Sequence, residues 1–263
     1  MANTANPTSA LIWFIVITII YIVIDYSGVK KLSSNGQSST VYMMIYALLV
    51  IVVEYIGNIS LTNQLCGTNQ YGTALSVTII PWVFIFGSLL ILIRVFPGWL
   101  SPFSNTFGYA VALAAGLNGT LNDILKPDIK GDGNVTKDQE VMMEAITHIY
   151  SDKSMLVNEI TPINFTSFWG GMKGIMKNEA INNKTLQEKL FGLVVLKDTV
   201  ARLVWYILAG TLVISVSYNY LANSGCQQSV RDMQKKHSAY EEKLANDAEE
   251  KKSKTNKIYS TTE

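Results

Sequence analysis

Thr73–Ile93 reads TALSVTIIPWVFIFGSLLILI, 21 residues without a charge. As an α-helix this stretch reaches about 30 Å, the thickness of a bilayer's hydrocarbon core. A helix in a soluble core rarely needs apolar residues on every face over that length. The stretch therefore predicts a membrane span, and with it a membrane protein. Three further runs agree. Ala10–Ile24 gives 15 apolar or weakly polar residues ending at Asp25, and Leu203–Leu221 gives 19 uncharged ones. Val41–Val53 gives 13, then Glu54 interrupts a run that resumes at Tyr55 and Ile56. The first two runs in chain order are short for a span, and neighbours such as Thr40, Gly57 and Asn58 can lengthen the second, with Glu54 near an interface.

A fifth run, Phe107–Leu117 (FGYAVALAAGL), has only 11 residues. It reads as a short span, a re-entrant piece or a buried hairpin arm. Loop charges bear on the choice. Residues 1–10 and 57–72 carry no Lys or Arg, the first loop carries Lys30 and Lys31, and Arg94 follows the third span. Eight basic residues follow Leu221. Five spans would gather the first loop, Arg94 and the tail on one face, as the positive-inside rule prefers. Four would split them. The expected fold is thus all-α, a polytopic membrane protein with four or five transmembrane helices, a small helical extramembrane domain and a charged helical tail. Its parts are a membrane module over 1–117 (spans near 10–24, 41–56 and 73–93, with 107–117 in question), the domain over 118–198, the last span over 199–221 and the tail over 222–263. MANTANPTSA has no positive charge ahead of the apolar run, so Ala10–Ile24 reads as a retained span and not a signal peptide.

Between spans three and four, residues 95–109 hold two prolines, two glycines and five aromatics, Trp99 and Phe103 among them. Proline and glycine stop the preceding helix, and the aromatics suit a membrane–water interface or a docking surface. In the extramembrane domain, Thr136–Gln139 has capping-box spacing ahead of Met142, Ala145, Ile146 and Ile149. A turn at Thr161–Asn164 then leads to a second helical stripe of Phe168, Trp169, Met172, Ile175 and Met176, with Phe165 just ahead of it. A domain this small has limited means to bury that cluster, so Phe165, Phe168, Trp169 and Met172 are expected to contact a partner or the membrane. The rival reading makes them the domain's own core. Lys184 onward should run helically into the last span. In the tail, Cys226, Val230, Met233, His237, Tyr240 and Leu244 alternate at spacings of four and three, either a short coiled-coil seam for helix pairing or one side of a solvated helix.

Chemistry is sparse. Asp128–Thr136 resembles the start of an EF-hand loop, but Lys130 stands at a ligand position and Gln139 where a bidentate carboxylate is required. A turn leading into the capped helix is the better reading, and no metal or cofactor is expected. Glu54, Arg94 and Arg202 are membrane-edge charges able to reach an interface, leaving no proton relay to argue from. Cys66 and Cys226 read as free thiols that need not share a face. Five Asn-x-Ser/Thr triplets, at Asn58, Asn118, Asn134, Asn164 and Asn183, give slight support for a lumenal domain. Two histidines and no serine elbow, metal cluster or phosphate loop point away from an enzyme. A net charge of +1 points away from nucleic acid.

Two segments carry a family resemblance. One is Ile80-Pro81-Trp82-Val83-Phe84-Ile85-Phe86-Gly87 followed by Phe96-Pro97-Gly98-Trp99-Leu100-Ser101-Pro102-Phe103-Ser104-Asn105-Thr106-Phe107-Gly108-Tyr109. The other runs from Ile149-Tyr150-Ser151-Asp152 through Asn158-Glu159-Ile160-Thr161-Pro162-Ile163-Asn164-Phe165 to Phe168-Trp169. Together, over about residues 80–170, the chain resembles a multispan membrane protein of the large icosahedral DNA viruses of eukaryotes, such as chlorella viruses and iridoviruses. The resemblance implies a minor capsid protein in the virion inner membrane beneath the capsid, passing through host endomembranes during assembly. Its partners would be the lipid bilayer and capsid proteins of the same particle. The alternative is a multispan channel, transporter or membrane adaptor.

Overall fold

The computed structural model describes residues 7–30, 39–126, 152–226 and 230–256. The EF-hand-like loop, the capped helix after Thr136 with His148, and the extreme C-terminus lie outside the described residues. Four helices are long and apolar enough to cross a membrane: α1 (Thr8–Val29), α2 (Thr40–Cys66), α3 (Tyr71–Val95) and α9 (Lys184–Asn223). The shorter elements between α3 and α9 are α4 (97–114), α5 (Leu117–Ile124), α6 (Lys153–Asn158), α7 (Phe165–Gly171) and α8 (Asn178–Ile181). A tail helix, α10 (Val230–Asn256), completes an all-α chain with no strand among the described residues, only an isolated bridge between Leu125 and Met176. The protein is an all-α polytopic membrane protein.

The bundle is apolar outside as well as inside. Ile12, Val16, Ile20, Leu48, Phe84 and Leu212 are all exposed on the long helices. Water would not tolerate such a belt, whereas lipid tails do. The inward faces carry large aromatics instead. Tyr21 stacks on Tyr46 with centroids 4.4 Å apart, Trp82 meets Phe86 at 4.9 Å, and Phe14 meets Trp82 at 5.5 Å. Pro81 sits inside α3. It lacks an N–H and its ring crowds the preceding turn, and the helix relaxes into a π-helical stretch over Pro81–Phe86. That stretch carries Trp82 and Phe86, both buried. Gly210 lets α9 approach α1, since a Cβ there would overlap the Phe14 ring.

Phe107–Leu117 folds as a short, partly buried arm, with Gly108, Ala112 and Leu117 buried and Phe107 and Val111 exposed. Its regular part is the six-residue helix Tyr109–Ala114, which Gly116 ends in a left-handed conformation at φ 98°. The arm lies along the first half of α9, where Gly108 meets the Lys197 carbonyl so closely that a Cβ would overlap it. Four crossings result. The two cysteines give the same count, because the structure pairs Cys66 with Cys226 in a disulfide, Cα to Cα 5.5 Å. A fifth crossing between them would put them on opposite faces. The expectation of two free thiols is therefore corrected, as is the doubt that they share a face. Lys30 and Arg94 then lie on the face opposite the basic tail, the division that the positive-inside argument disfavoured.

Residues 97–126 and 152–198 form a cap over one face of the bundle. Its core gathers Leu117, Leu121, Ile124, Phe165, Met176 and Phe191, all 1% exposed or less. Phe191 and its neighbours come from α9, which runs 40 residues, about 60 Å, from the cap through the bilayer without a break. Asn183 caps its start by accepting the Leu186 N–H at 3.1 Å. Asp152 caps α6 by accepting the Ser154 N–H, and hydrogen bonding from the Ser154 side chain, with that backbone bond second, holds its carboxyl below the ordinary carboxylate range. The chain around the bridge ties α5 to the segment after α7. Lys126 N donates to Ile175 O at 3.0 Å and Lys177 N to Ile124 O at 2.9 Å.

Candidate functional site

Three of the expected contact residues are placed differently. Phe165, Trp169 and Met172 are buried at 0, 5 and 5% exposure, so they are core and not a contact surface. The cap buries this cluster because α9 adds its own apolar stripe: Phe165 stacks on Trp169 at 6.0 Å and meets Phe191 edge-on at 5.0 Å. Phe168 is half-buried against the same core. Trp99 does remain exposed, at 54%, with its ring edge-on to Trp205 at 6.5 Å. Phe103 is half-buried, 5.9 Å from the same Trp205 ring.

The charges converge more than the sequence suggested. Arg202, on α9, is only 8% exposed and reaches Asp25 at the end of α1, Nη1 to Oδ2 2.8 Å. Its Nε faces Asp198 Oδ2 at 3.2 Å, one turn earlier on α9, and its Nη2 donates to Thr199 Oγ1 at 3.1 Å. Arg202 is thus a buried ion-network member and not a side chain reaching for an interface. Below it, Tyr206 stacks near Tyr21 and Tyr46, and Thr18 shares a 2.9 Å hydrogen bond with the Tyr46 hydroxyl. The signal for the Asp25–Arg202 pair was weak but real. One charge ends span one, the other opens the last span, and four crossings put both at the same face.

Arg94 is the edge charge that behaves as expected. It is exposed, and its Nη2 donates to Thr40 Oγ1 at 2.8 Å, tying the end of α3 to the start of α2. Glu54 does not behave so. It is 2% exposed and lies near the middle of the 27-residue α2, because that helix continues well past Ile56. Its Oε1 has no hydrogen-bond partner among the described residues. One turn away, Asn58 Nδ2 donates to Thr78 Oγ1 at 2.8 Å, and Ser217 Oγ donates to the Val77 carbonyl at 2.9 Å. A buried Asn58 so engaged is no accessible glycosylation acceptor, and Asn183 serves as the α9 cap.

Above the ion network, between α2, α3 and the cap, lies a cavity of about 520 Å³. Asp198, Arg202, Tyr21 and Tyr206 line its inner part, while Arg94 and the Thr161–Ile163 turn stand at its rim. Among the described residues no cluster of three or more His, Cys, Asp or Glu could hold a metal ion. On the opposite face, the described side chains of α10 are all exposed, Met233, His237, Tyr240 and Leu244 of the expected seam among them, while its first member, Cys226, is held in the disulfide. Lys236 reaches back, Nζ to the Cys66 carbonyl at 3.5 Å.

This architecture defines a class: a four-span helical membrane protein with a helical cap on one face and a charged helix on the other. No protein-family model matches the chain, and neither a curated protein nor a solved structure does.

Proposed function

We propose that the chain is a structural membrane protein of a virus particle, a minor capsid component bridging the inner membrane to the shell. The observation that carries this reading is α9, a single 40-residue helix shared by the cap core and the bundle core. A load on the cap passes into the membrane without a flexible joint, which is what an anchor requires. Exposed apolar side chains on the cap, Trp99, Met155 at 55% and Ile163 at 72%, offer contacts for capsid proteins. The free face of α10 offers a helix-pairing surface on the other side. The resemblance over residues 80–170 supplies the virion, its inner membrane and passage through host endomembranes.

Proteomics of purified particles tests the role. The protein should be present at structural copy number, with cross-links from the cap to capsid chains. Its absence from particles sinks the proposal. The buried Glu54 favours a second reading, a channel or transporter. Ion flux through the purified protein in liposomes, lost in Glu54→Gln, would promote it.

A further inference from the structure

The cavity at the junction of bundle and cap combines features that neither a structural anchor nor a transporter needs. Its deep wall is charged. Asp198 has 26% of its side chain exposed, and Arg202 stands beside it with Asp25 directly behind. Arg94 supplies a second guanidinium at the rim, and no carboxylate pairs with it among the described residues. The formal charges of Asp25, Asp198, Arg202 and Arg94 sum to zero. A lone anion or a lone cation would therefore leave one sign uncompensated, whereas a zwitterion satisfies both.

Apart from Ser101 and Thr161, the remaining wall is apolar. Met43, Leu90 and Ile93 line it, and Met43 continues onto the exposed, lipid-facing side of α2 at Met44 and Leu48. The cavity also sits at the height where α3 ends and the cap begins, the depth of the lipid headgroups. An acyl chain can leave such a site directly into the bilayer. A soluble ligand gains nothing from those walls.

We propose that this cavity binds one zwitterionic phospholipid with a primary-amine headgroup, its phosphate on Arg94 and its ammonium on Asp198. The amine matters because a primary ammonium donates hydrogen bonds to a carboxylate, while a quaternary choline has none to donate. Arg94 offers the forked donors that phosphate oxygens accept. The inference is independent of any role in a particle.

The test uses the full chain, purified in detergent and exchanged into vesicles of phosphatidylethanolamine, phosphatidylcholine or phosphatidylglycerol, with retained lipid measured after re-extraction. Two variants avoid the ion network. Arg94→Gln removes the phosphate contact, and Gly98→Phe fills the cavity from a position where an added Cβ meets nothing within 4 Å. Unchanged melting of both variants confirms that they fold. Wild type should retain about one phosphatidylethanolamine per chain, roughly tenfold over the choline lipid, as one charge-assisted hydrogen bond implies. Both variants should lose that preference. Equal retention of the three lipids, or a preference that survives either variant, would mean only annular lipid and overturn the site. Competition by free O-phosphoethanolamine at equal concentration would overturn the lipid as the source of the headgroup.

Discussion

Removing Arg202 should harm this protein more than removing either carboxylate. The guanidinium sits between Asp25 at 2.8 Å and Asp198 at 3.2 Å, and Asp25 is 1% exposed. Arg202→Met conserves much of the volume but strands two like charges in apolar surroundings. Breaking a buried pair by deleting one partner costs about 3–5 kcal/mol, and repulsion between the two carboxylates adds to it. Asp25→Asn leaves Arg202 its bond to Asp198, so its cost should be nearer the ~1.5–3 kcal/mol of one charged hydrogen bond. In the double variant the stranded pair is reduced to a single charge. It should therefore cost less than the sum of the single changes by roughly 0.5–3 kcal/mol. Denaturant unfolding of the full chain in mixed micelles, followed by tryptophan fluorescence, gives all four stabilities. Additive costs, or an Asp25→Asn variant as damaged as Arg202→Met, would mean that the three groups do not act as one network.

Trp169→Ala should destabilise the cap by about 3–5 kcal/mol, the range for deleting a buried aromatic ring. Hydrogen exchange over α6 and α7 would report it, while a variant with native protection would restore the contact-surface reading. Gly210→Val should cost at least ~1–3 kcal/mol, because its side chain must displace the Phe14 ring. A normal melt would contradict the close helix approach. The unreduced chain should bind no maleimide at Cys66 or Cys226, and Cys66→Ser should expose Cys226 to it. Labelling of both thiols in the wild type would remove the disulfide and with it the strongest reason for an even number of crossings. The Asp128–Gln139 loop should show no micromolar calcium binding by calorimetry of the full chain, for want of a bidentate carboxylate. Binding abolished by Asp132→Ala would reverse that reading.

The sequence alone determined that this is a helical membrane protein, because a run such as Thr73–Ile93 has no other place to put its apolar surface. It also determined the joint between cap and last span, since no proline or glycine pair breaks the chain between Lys184 and Leu203. What only the tertiary structure decided were relations between distant residues. Phe165, Trp169 and Met172 looked too many for a small domain to bury, until the first half of α9 was added to its core. Phe107–Leu117 was apolar enough for several fates, and the close seat of Gly108 against Lys197 chose one. Glu54 looked like an edge charge because hydropathy shows where an apolar run is interrupted, not where a helix ends. The Cys66–Cys226 disulfide and the Asp25–Arg202 ion pair join residues 160 and 177 positions apart. Periodicity reports which face of a helix is apolar. It carries no information about which helix that face will meet, and both pairs exist only through that meeting.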